Sequence, residues 1–215
     1  MLISHKDISF KSGPLTLEGV LHLPKGGGPF PGVAVCHPHP RFGGDMTNGL
    51  VVTMCRMLCD AGIGALRFNF RGVGRSEGEH DRGIGEVTDA KEAMGYLSLH
   101  DDIDASRIGI AGYSFGASAA LEAAAGNEQA QAIASIACPL RPFTSVGVLE
   151  MLQPKLLVLG ESDHDFPKDQ FRFLAQRFSD PKQVELIAGA DHFFAGHASV
   201  IGELVTAFFT GSLSS

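Results

Sequence analysis

Short, continuously apolar segments alternate along this chain with longer segments that repeat apolar residues every three or four positions. Segments such as GVAVCH and PKLLVLGES are too short for core helices, and they show no polar face. A strand that is apolar on both faces belongs in a parallel sheet covered by helices on both sides. The sequence therefore predicts an α/β fold.

Eight strands and five helices are predicted in this alternation. The first two strands, ISFKSG and LTLEGVLHLP, alternate apolar with polar residues around a turn at 12–14, which is typical of an antiparallel pair. Six buried strands are predicted at 32–37, 64–70, 107–114, 131–139, 154–162 and 183–191. Helices are predicted at 48–62, 83–100, 115–126, 168–178 and 198–211. Because no repeat or linker interrupts the pattern, we expect residues 1–215 to form a single domain.

Charge and cysteine content narrow the function classes. The net charge of −7 disfavours nucleic acid and anionic membranes as partners, because both bind basic surfaces. The segment MLISHKDISF has no apolar core of a secretory signal, and no long uncharged apolar stretch follows. The four cysteines show no CxxC spacing. We therefore expect a cytoplasmic protein with reduced cysteines.

The sequence GYSFG joins a predicted strand directly to a helix rich in small residues. This is the context of a nucleophile elbow, in which a serine occupies a strained turn at the end of a sheet. Ser114 is the candidate nucleophile, and the flanking glycines relieve crowding around it. The N–H of Phe115 opens the helix and would face a developing oxyanion. The alternative is a strand-to-helix turn without chemistry.

A nucleophilic serine needs a general base, which in this arrangement follows it along the chain. The histidines after Ser114 are His164, His192 and His197. His192 follows the predicted strand VELIAGA, so it lies at the same sheet edge as Ser114, whereas His197 lies near a helix start. His192 is therefore predicted to be the base; the alternative is a surface loop histidine.

The carboxylate that orients the base is expected after an earlier strand. The segment GESDHDFP offers Glu161, Asp163 and Asp165. Asp165 could instead cap the helix that begins near Lys168. Spacing alone does not choose between Asp163 and Asp165.

The segment CHPHPRFGGD allows two interpretations. Cys36, His37 and His39 could be zinc ligands. Cys36, however, continues the buried run GVAVC, which favours a core position over a ligand.

The glycine-rich segment GVGRSEGE lacks the GK[ST] ending of a phosphate-binding loop and the spacing of a dinucleotide fingerprint. Arg71 and Arg75 are expected to pair locally with Glu77, Asp81 or Glu86. An alternative is that Arg75 contacts a substrate carboxylate.

Over nearly its whole length the sequence resembles the α/β-hydrolase superfamily, through GYSFG, GESDHDFP, GADHFF and RFNFRGVGRSEG. CHPHPRFGGDMTN adds a likeness to a small capless branch related to dienelactone hydrolases and acyl-peptidase-like domains. The resemblance implies a mostly parallel sheet of about eight strands with helices on both faces. It also implies a Ser-His-Asp triad with Asp163 as the acid, and acyl transfer to water with no cofactor and no metal. Dienelactone hydrolases proper carry cysteine at the elbow, so Ser114 favours ester-type chemistry.

In these enzymes the second oxyanion donor comes from the loop after the third strand. Here His37 and Pro38 replace the usual His-Gly pair, and proline has no N–H. The resemblance therefore implies the backbone N–H of His39 as the donor, paired with that of Phe115. Whether the His37 and His39 rings hold the loop or touch substrate stays open. Asp45 or Thr47 is expected to cap the next helix.

The segment 140–154 is short where lidded hydrolases insert a cap, so we expect an open site. Its candidate walls, each of which ordinary packing would explain equally well, are Phe42, Leu140, Phe143, Phe166 and Phe193. The expected partner is a small-molecule acyl substrate, a short-chain ester or thioester cleaved through an acyl-enzyme. The alternatives are a peptidase or aminoacyl hydrolase, and a catalytically silent α/β-hydrolase that acts as a binding or scaffold protein.

Overall fold

The computed structural model describes residues 4–214. Within that range eight strands form one sheet: β1 (Ser4–Ser12), β2 (Leu15–Leu23), β3 (Phe30–Cys36), β4 (Gly64–Phe68), β5 (Ile103–Tyr113), β6 (Ala132–Ile136), β7 (Lys155–Gly160) and β8 (Lys182–Ile187). The helices are α1 (Gly49–Asp60), α2 (Ile84–Ser98), α3 (Phe115–Ala124), α4 (Val146–Leu149), α5 (Lys168–Ala175) and α6 (Ala198–Ser212).

The strand order across the sheet is β1-β2-β4-β3-β5-β6-β7-β8. β1 and β2 pair antiparallel, as predicted, and β2 also pairs antiparallel with β4. All pairs from β4 to β8 are parallel. The prediction of a mostly parallel eight-stranded α/β sheet with an N-terminal antiparallel pair is confirmed.

The central strands are buried on both faces, which explains their continuous apolar sequences. Val33, Ala34 and Val35 in β3 and Ile108 and Ile110 in β5 are completely buried. Helices α1 and α6 pack against each other, as do α2 and α3, and these pairs cover the sheet. The hydrophobic effect thus buries the middle of the sheet and leaves the strand ends to loops.

The carboxyl ends of the parallel strands lie side by side. Cys36 at the end of β3 is level with Gly112 in β5, Tyr113 is level with Ile136 in β6, and Gly160 in β7 is level with Ile187 in β8. The loops that follow β3, β5, β7 and β8 therefore meet at one edge of the sheet, where such folds place their sites.

No cap domain separates β6 from β7. The segment between them holds a 3-10 helix at Arg141–Thr144 and the single turn of α4. The prediction of an open edge without a lid is confirmed. Among residues 4–214, no helix has both the length and the apolar character needed to cross a membrane.

The cap of α1 differs from the sequence prediction. Asn48, rather than Asp45 or Thr47, is the N-cap, and its Oδ1 accepts a hydrogen bond from the N–H of Leu50 over 3.0 Å. The Asp45 carboxylate instead accepts from the N–H and hydroxyl of Thr47. Asp45, Thr47 and Asn48 are all residue types that favour the N-cap position, and the path of the backbone places Asn48 there.

The predicted partners of the loop arginines are wrong. Arg71 forms a two-point ion pair with Asp89 of α2, which is completely buried. Arg75 pairs with Glu18 of β2, and its Nε lies 2.7 Å from Oε2. Both partners are distant in sequence, so local spacing could not reveal them.

Candidate active site

Ser114 occupies a sharp turn between β5 and α3. Its φ of 54° and ψ of −118° fall outside the regions that ordinary residues prefer, and its N–H donates to the carbonyl of Ile136 over 2.8 Å. A Cβ on Gly112 would collide with the carbonyl of Gly116, and one on Gly116 would collide with the carbonyls of Cys36 and His37. The two glycines thus permit a tight turn that presents Ser114 at the sheet edge.

His192 lies between Ser114 and Asp163. The Ser114 Oγ is 3.0 Å from His192 Nε2, and His192 Nδ1 is 2.8 Å from Asp163 Oδ2. With a neutral imidazole protonated at Nδ1, His192 donates to Asp163 and accepts from the serine hydroxyl. The structure therefore joins the three predicted triad residues in one hydrogen-bonded chain.

Asp163 is held by three hydrogen bonds. Its Oδ1 accepts from the N–H of Asp165 over 2.8 Å and from the N–H of Phe166 over 3.1 Å, while Oδ2 faces His192. Burial by itself would raise the pKa of Asp163, but the hydrogen bond and charge of His192 and the two N–H groups hold it below the usual value. The carboxylate is therefore ionised and fixed in orientation.

The pKa of His192 is raised above its usual value, chiefly by the hydrogen bond to Asp163, with burial opposing and the charges of Asp163, Asp165 and Asp191 assisting. A more basic imidazole is a stronger proton acceptor for the Ser114 hydroxyl.

The competing loop residues do not take these positions. Asp165 Oδ2 lies 3.8 Å from His192 Nδ1, beyond hydrogen-bond distance, and its side chain is 77% exposed. His164 is exposed in the same loop. His197 is the N-cap residue of α6, and its Nδ1 contacts the carbonyl of Ala195.

Two hydrogen bonds between loops, which the sequence analysis did not predict, hold the His192 loop in position. The Tyr113 hydroxyl donates to the carbonyl of His192 over 2.9 Å, and the N–H of Ser162 donates to the carbonyl of Ala190 over 2.9 Å. The only sequence signal for the first contact is a hydroxyl-bearing aromatic residue next to Ser114. The nucleophile, acid and histidine loops are thereby joined directly.

His39 and Phe115, the predicted oxyanion donors, belong to the loop after β3 and to the first turn of α3. Both residues line the same cavity as Ser114, and the close approach of Gly116 to the Cys36 and His37 carbonyls brings the two segments together. Within residues 4–214, neither the His39 nor the Phe115 N–H has a hydrogen-bond acceptor. Both N–H groups are therefore available to donate to a ligand in this cavity.

His37 has a structural position, separate from the cavity. Its Nδ1 contacts the carbonyl of Pro38 over 2.7 Å, and its Nε2 accepts from the N–H of Phe70 over 3.1 Å. Burial lowers its pKa to about 4, so the ring is neutral. Because both ring nitrogens are occupied and Cys36 lies in the core, the zinc alternative for Cys36, His37 and His39 has no support in this geometry. The His39 ring instead packs at a tilt against the rings of Phe42 and Phe115.

A cavity of about 720 Å³ opens at Ser114 and His192. Four of the five predicted wall residues line it: Phe42, Leu140, Phe166 and Phe193. Phe143 does not, because it is buried against Phe166, Phe171 and Phe178. Phe42 and Phe193 are 87% and 74% exposed, so the entrance is apolar and open.

A mostly parallel eight-stranded sheet, a serine at a strand-to-helix elbow and a histidine loop after the last strand define this chain as an α/β-hydrolase-fold protein.

More particularly, it belongs to the dienelactone hydrolase family, whose model matches residues 76–207. An uncharacterised protein of Rickettsia prowazekii is 33% identical over 168 residues, which cover 74% of this chain and 70% of that protein.

Solved structures extend the likeness to the whole fold. An α/β serine hydrolase homologue from Coxiella burnetii superimposes with a TM-score of 0.84 at 32% identity, covering 96% of this chain and 98% of that one. A serine hydrolase without a lid from Xanthomonas campestris gives a TM-score of 0.83 at 25% identity, covering 100% and 98%. These relatives support a hydrolase.

Proposed function

We propose that this chain is a serine hydrolase that cleaves small or short-chain carboxylic esters or thioesters through an acyl-enzyme. The observation that carries the proposal is the hydrogen-bonded chain from Ser114 through His192 to the buried Asp163, open to a cavity at its serine end. This is the arrangement of a nucleophile, a general base and an orienting acid.

In the first half of the reaction, Ser114 Oγ attacks the acyl carbon while His192 Nε2 takes its proton. The negative charge that develops on the acyl oxygen is stabilised by the N–H groups of His39 and Phe115. His192 then gives the proton to the leaving alcohol or thiol. Asp163 stays ionised throughout and holds the imidazolium in place.

In the second half, a water molecule replaces the leaving group. His192 takes a proton from the water, whose oxygen attacks the acyl-Ser114 ester, and returns the proton to Ser114 Oγ as the acid leaves. The open apolar entrance formed by Phe42, Leu140 and Phe193 favours small and short acyl groups.

Four cysteines support a reducing, cytoplasmic location. Cys36, Cys55, Cys59 and Cys138 are all buried and free. Proteins of oxidising compartments usually pair such residues.

Labelling with a fluorophosphonate probe tests the nucleophile directly. Wild-type protein should be labelled at Ser114 and should hydrolyse p-nitrophenyl acetate, and Ser114→Ala should lose both. The matched control is Ser106→Ala, an exposed serine in the same strand, which should behave as wild type. An unlabelled wild-type protein would refute the enzyme proposal and favour the catalytically silent alternative.

Substrate class needs a second experiment. A panel of p-nitrophenyl esters of graded chain length, with thioesters and aminoacyl amides alongside, should give the highest kcat/KM for short esters or thioesters. A preference for the aminoacyl amides would favour the peptidase alternative instead.

A further inference from the structure

A second cavity, of about 300 Å³, lies beside the reaction cavity. His39, Phe115 and Pro139 line both cavities, so the two cavities adjoin at these residues. Nothing in the proposed hydrolysis of a small ester uses this second space.

Positive charge dominates the lining of the second cavity. The lining residues include three arginines, Arg41, Arg82 and Arg141, beside His39 and His80. Its one carboxylate belongs to Glu122, which lies 3.5 Å from Arg141. In the part of the chain that the structure describes, neither Arg41 nor Arg82 forms an ion pair. Two free guanidinium groups at one site contrast with the chain's net charge of −7.

Two of the arginines stand on fixed backbone. Arg41 lies in the 3-10 turn Pro40–Phe42, and its N–H donates to His39 Nδ1 over 3.2 Å. Arg82 lies between Asp81 and Gly83, whose N–H groups both donate to the buried Glu86 carboxylate over 2.8 Å.

Arg141 and His80 also have fixed positions. Arg141 begins a 3-10 helix, and its carbonyl accepts from the Thr144 hydroxyl. His80 Nδ1 lies 2.7 Å from Glu86 Oε1. The three arginines therefore stand on backbone that is ordered before any ligand arrives, which lowers the entropic cost of binding.

We propose that this second cavity binds a phosphoryl group carried by the substrate, an inference that rests on the proposed hydrolase function. A carboxylate is planar and is satisfied by one guanidinium fork, whereas a phosphoryl group presents oxygens in three non-coplanar directions. Three arginines that arrive from three separate turns match the second geometry.

The substrate is then an ester or thioester with a phosphate at a distance from the reacting acyl carbon. No bond to phosphorus breaks, because Ser114 attacks carbon and the phosphoryl group only anchors the molecule. Binding energy from such a remote group raises kcat/KM by orienting the reacting end.

Direct binding of phenylphosphonate, measured by isothermal titration calorimetry at low ionic strength, tests this cavity. Wild-type protein should bind one equivalent, and Arg41→Gln and Arg82→Gln should each weaken binding about tenfold, the loss expected for a charge-assisted hydrogen bond. The control Arg56→Gln removes the same charge from an exposed position on α1 outside both cavities, and it should leave affinity unchanged. Circular dichroism verifies that each variant is folded.

Three outcomes would overturn the phosphoryl assignment: no binding, binding that Arg41→Gln and Arg82→Gln leave unchanged, and benzoate binding as tightly as phenylphosphonate. The last result would assign the cavity to a carboxylate. Titration requires no turnover, so its result is independent of whether Ser114 acts as a nucleophile.

Inhibition kinetics then test whether the cavity serves the reaction. Phenylphosphonate should inhibit p-nitrophenyl acetate hydrolysis with an inhibition constant equal to its dissociation constant, because His39 and Phe115 border both cavities. Binding without any effect on hydrolysis would overturn the substrate role of the cavity. Absence of hydrolysis in uninhibited wild-type protein would refute the proposed function instead.

Discussion

The phenolic hydroxyl of Tyr113 donates a hydrogen bond to the backbone carbonyl of His192 over 2.9 Å. Tyr113 is buried, and burial first, with the charges of Asp191 and Asp163, raises its pKa to about 12, so the hydroxyl remains a donor over the working pH range. The residue before the candidate nucleophile thereby holds the loop that carries the candidate base.

In Tyr113→Phe the His192 carbonyl loses this hydrogen bond, so the position of His192 should be less well fixed. Losing one hydrogen bond costs about 0.5–1.5 kcal/mol, which corresponds to a fall in kcat of roughly two- to tenfold with KM nearly unchanged. Steady-state kinetics with p-nitrophenyl acetate measure this. Tyr96→Phe is the matched control, since it alters the only other tyrosine, on α2 away from the cavity. Wild-type kcat in Tyr113→Phe would contradict a positioning role.

Asp163 and Asp165 can be separated by conservative substitution. Asp163→Asn should lower kcat by about 10⁴-fold, because an amide favours the wrong tautomer of His192. Asp165→Asn should lower it far less, because Asp165 is exposed and lies 3.8 Å from the imidazole. Measuring kcat for both variants tests this assignment. A larger loss in Asp165→Asn than in Asp163→Asn would identify Asp165 as the orienting acid.

The pH profile should report the His192 environment. His192 must be neutral to accept the Ser114 proton, and its pKa is raised, so kcat/KM should fall on the acid side with a midpoint above the ordinary histidine value of about 6.5. Asp165→Asn removes one of the charges that raise this pKa, so the midpoint should move to lower pH. The contribution of His192 to stability changes with pH in the opposite direction to activity: it is complete below the pKa of histidine in the unfolded chain and is lost as pH rises through the raised pKa of the folded protein. An acid limb below the ordinary value would contradict this reasoning.

Sequence reasoning located the strands, the Ser114 elbow and the His192 loop because each signal is local. An apolar run of a given length, a serine between two glycines and a histidine after a strand are all visible within about ten residues. Asp163 and Asp165 are only two positions apart, so the sequence could not separate them without the family resemblance. The distinguishing features are burial and the two amides that bond Asp163, which depend on the folded path of the loop.

Contacts between distant segments were beyond local reasoning. Arg71 meets Asp89 and Arg75 meets Glu18 because α2 and β2 are brought beside the loop after β4 by the sheet. Tyr113 meets the carbonyl of His192 for the same reason. The positions of the charged residues in the sequence do not indicate which of them form pairs.

The buried Arg71–Asp89 pair should matter for stability. Asp89 accepts four hydrogen bonds, three from Arg71 and one from the Ser12 hydroxyl, and it is completely buried. Arg71→Leu leaves that carboxylate without its cation, which should lower the free energy of unfolding by about 3–5 kcal/mol. Urea denaturation measures the change.

Two further variants make this stability result specific. Arg71→Leu combined with Asp89→Leu should recover much of the loss, because no buried charge is then left alone. Arg75→Leu removes a cation that is 78% exposed, and Glu18 keeps its hydrogen bonds from Asn69 and from the backbone N–H of residue 75, so stability should change little. Equal destabilisation by Arg71→Leu and Arg75→Leu would contradict the argument.

The oxyanion donors proposed on His39 and Phe115 belong to the backbone, so the His39 ring should be dispensable for the chemistry. His39→Ala should keep kcat for p-nitrophenyl acetate within about tenfold of wild type, since loss of a true donor costs about 10²–10³. Added chelator should leave the rate unchanged, because no step uses a metal. A loss of 10³-fold in His39→Ala would assign the ring to the reaction.

Gly116→Ala tests the same hole through the backbone alone. The new Cβ would collide with the Cys36 and His37 carbonyls, so the β3 loop must shift away from the elbow and carry the His39 N–H with it. The expected fall in kcat is about 10²-fold or more, with Ser114, His192 and Asp163 all unchanged in identity. Gly49→Ala is the matched control, because its new Cβ would have no atom within 4 Å, and it should leave kcat unchanged. If Gly116→Ala folds and retains full activity, the spacing between the β3 loop and α3 does not set the oxyanion hole.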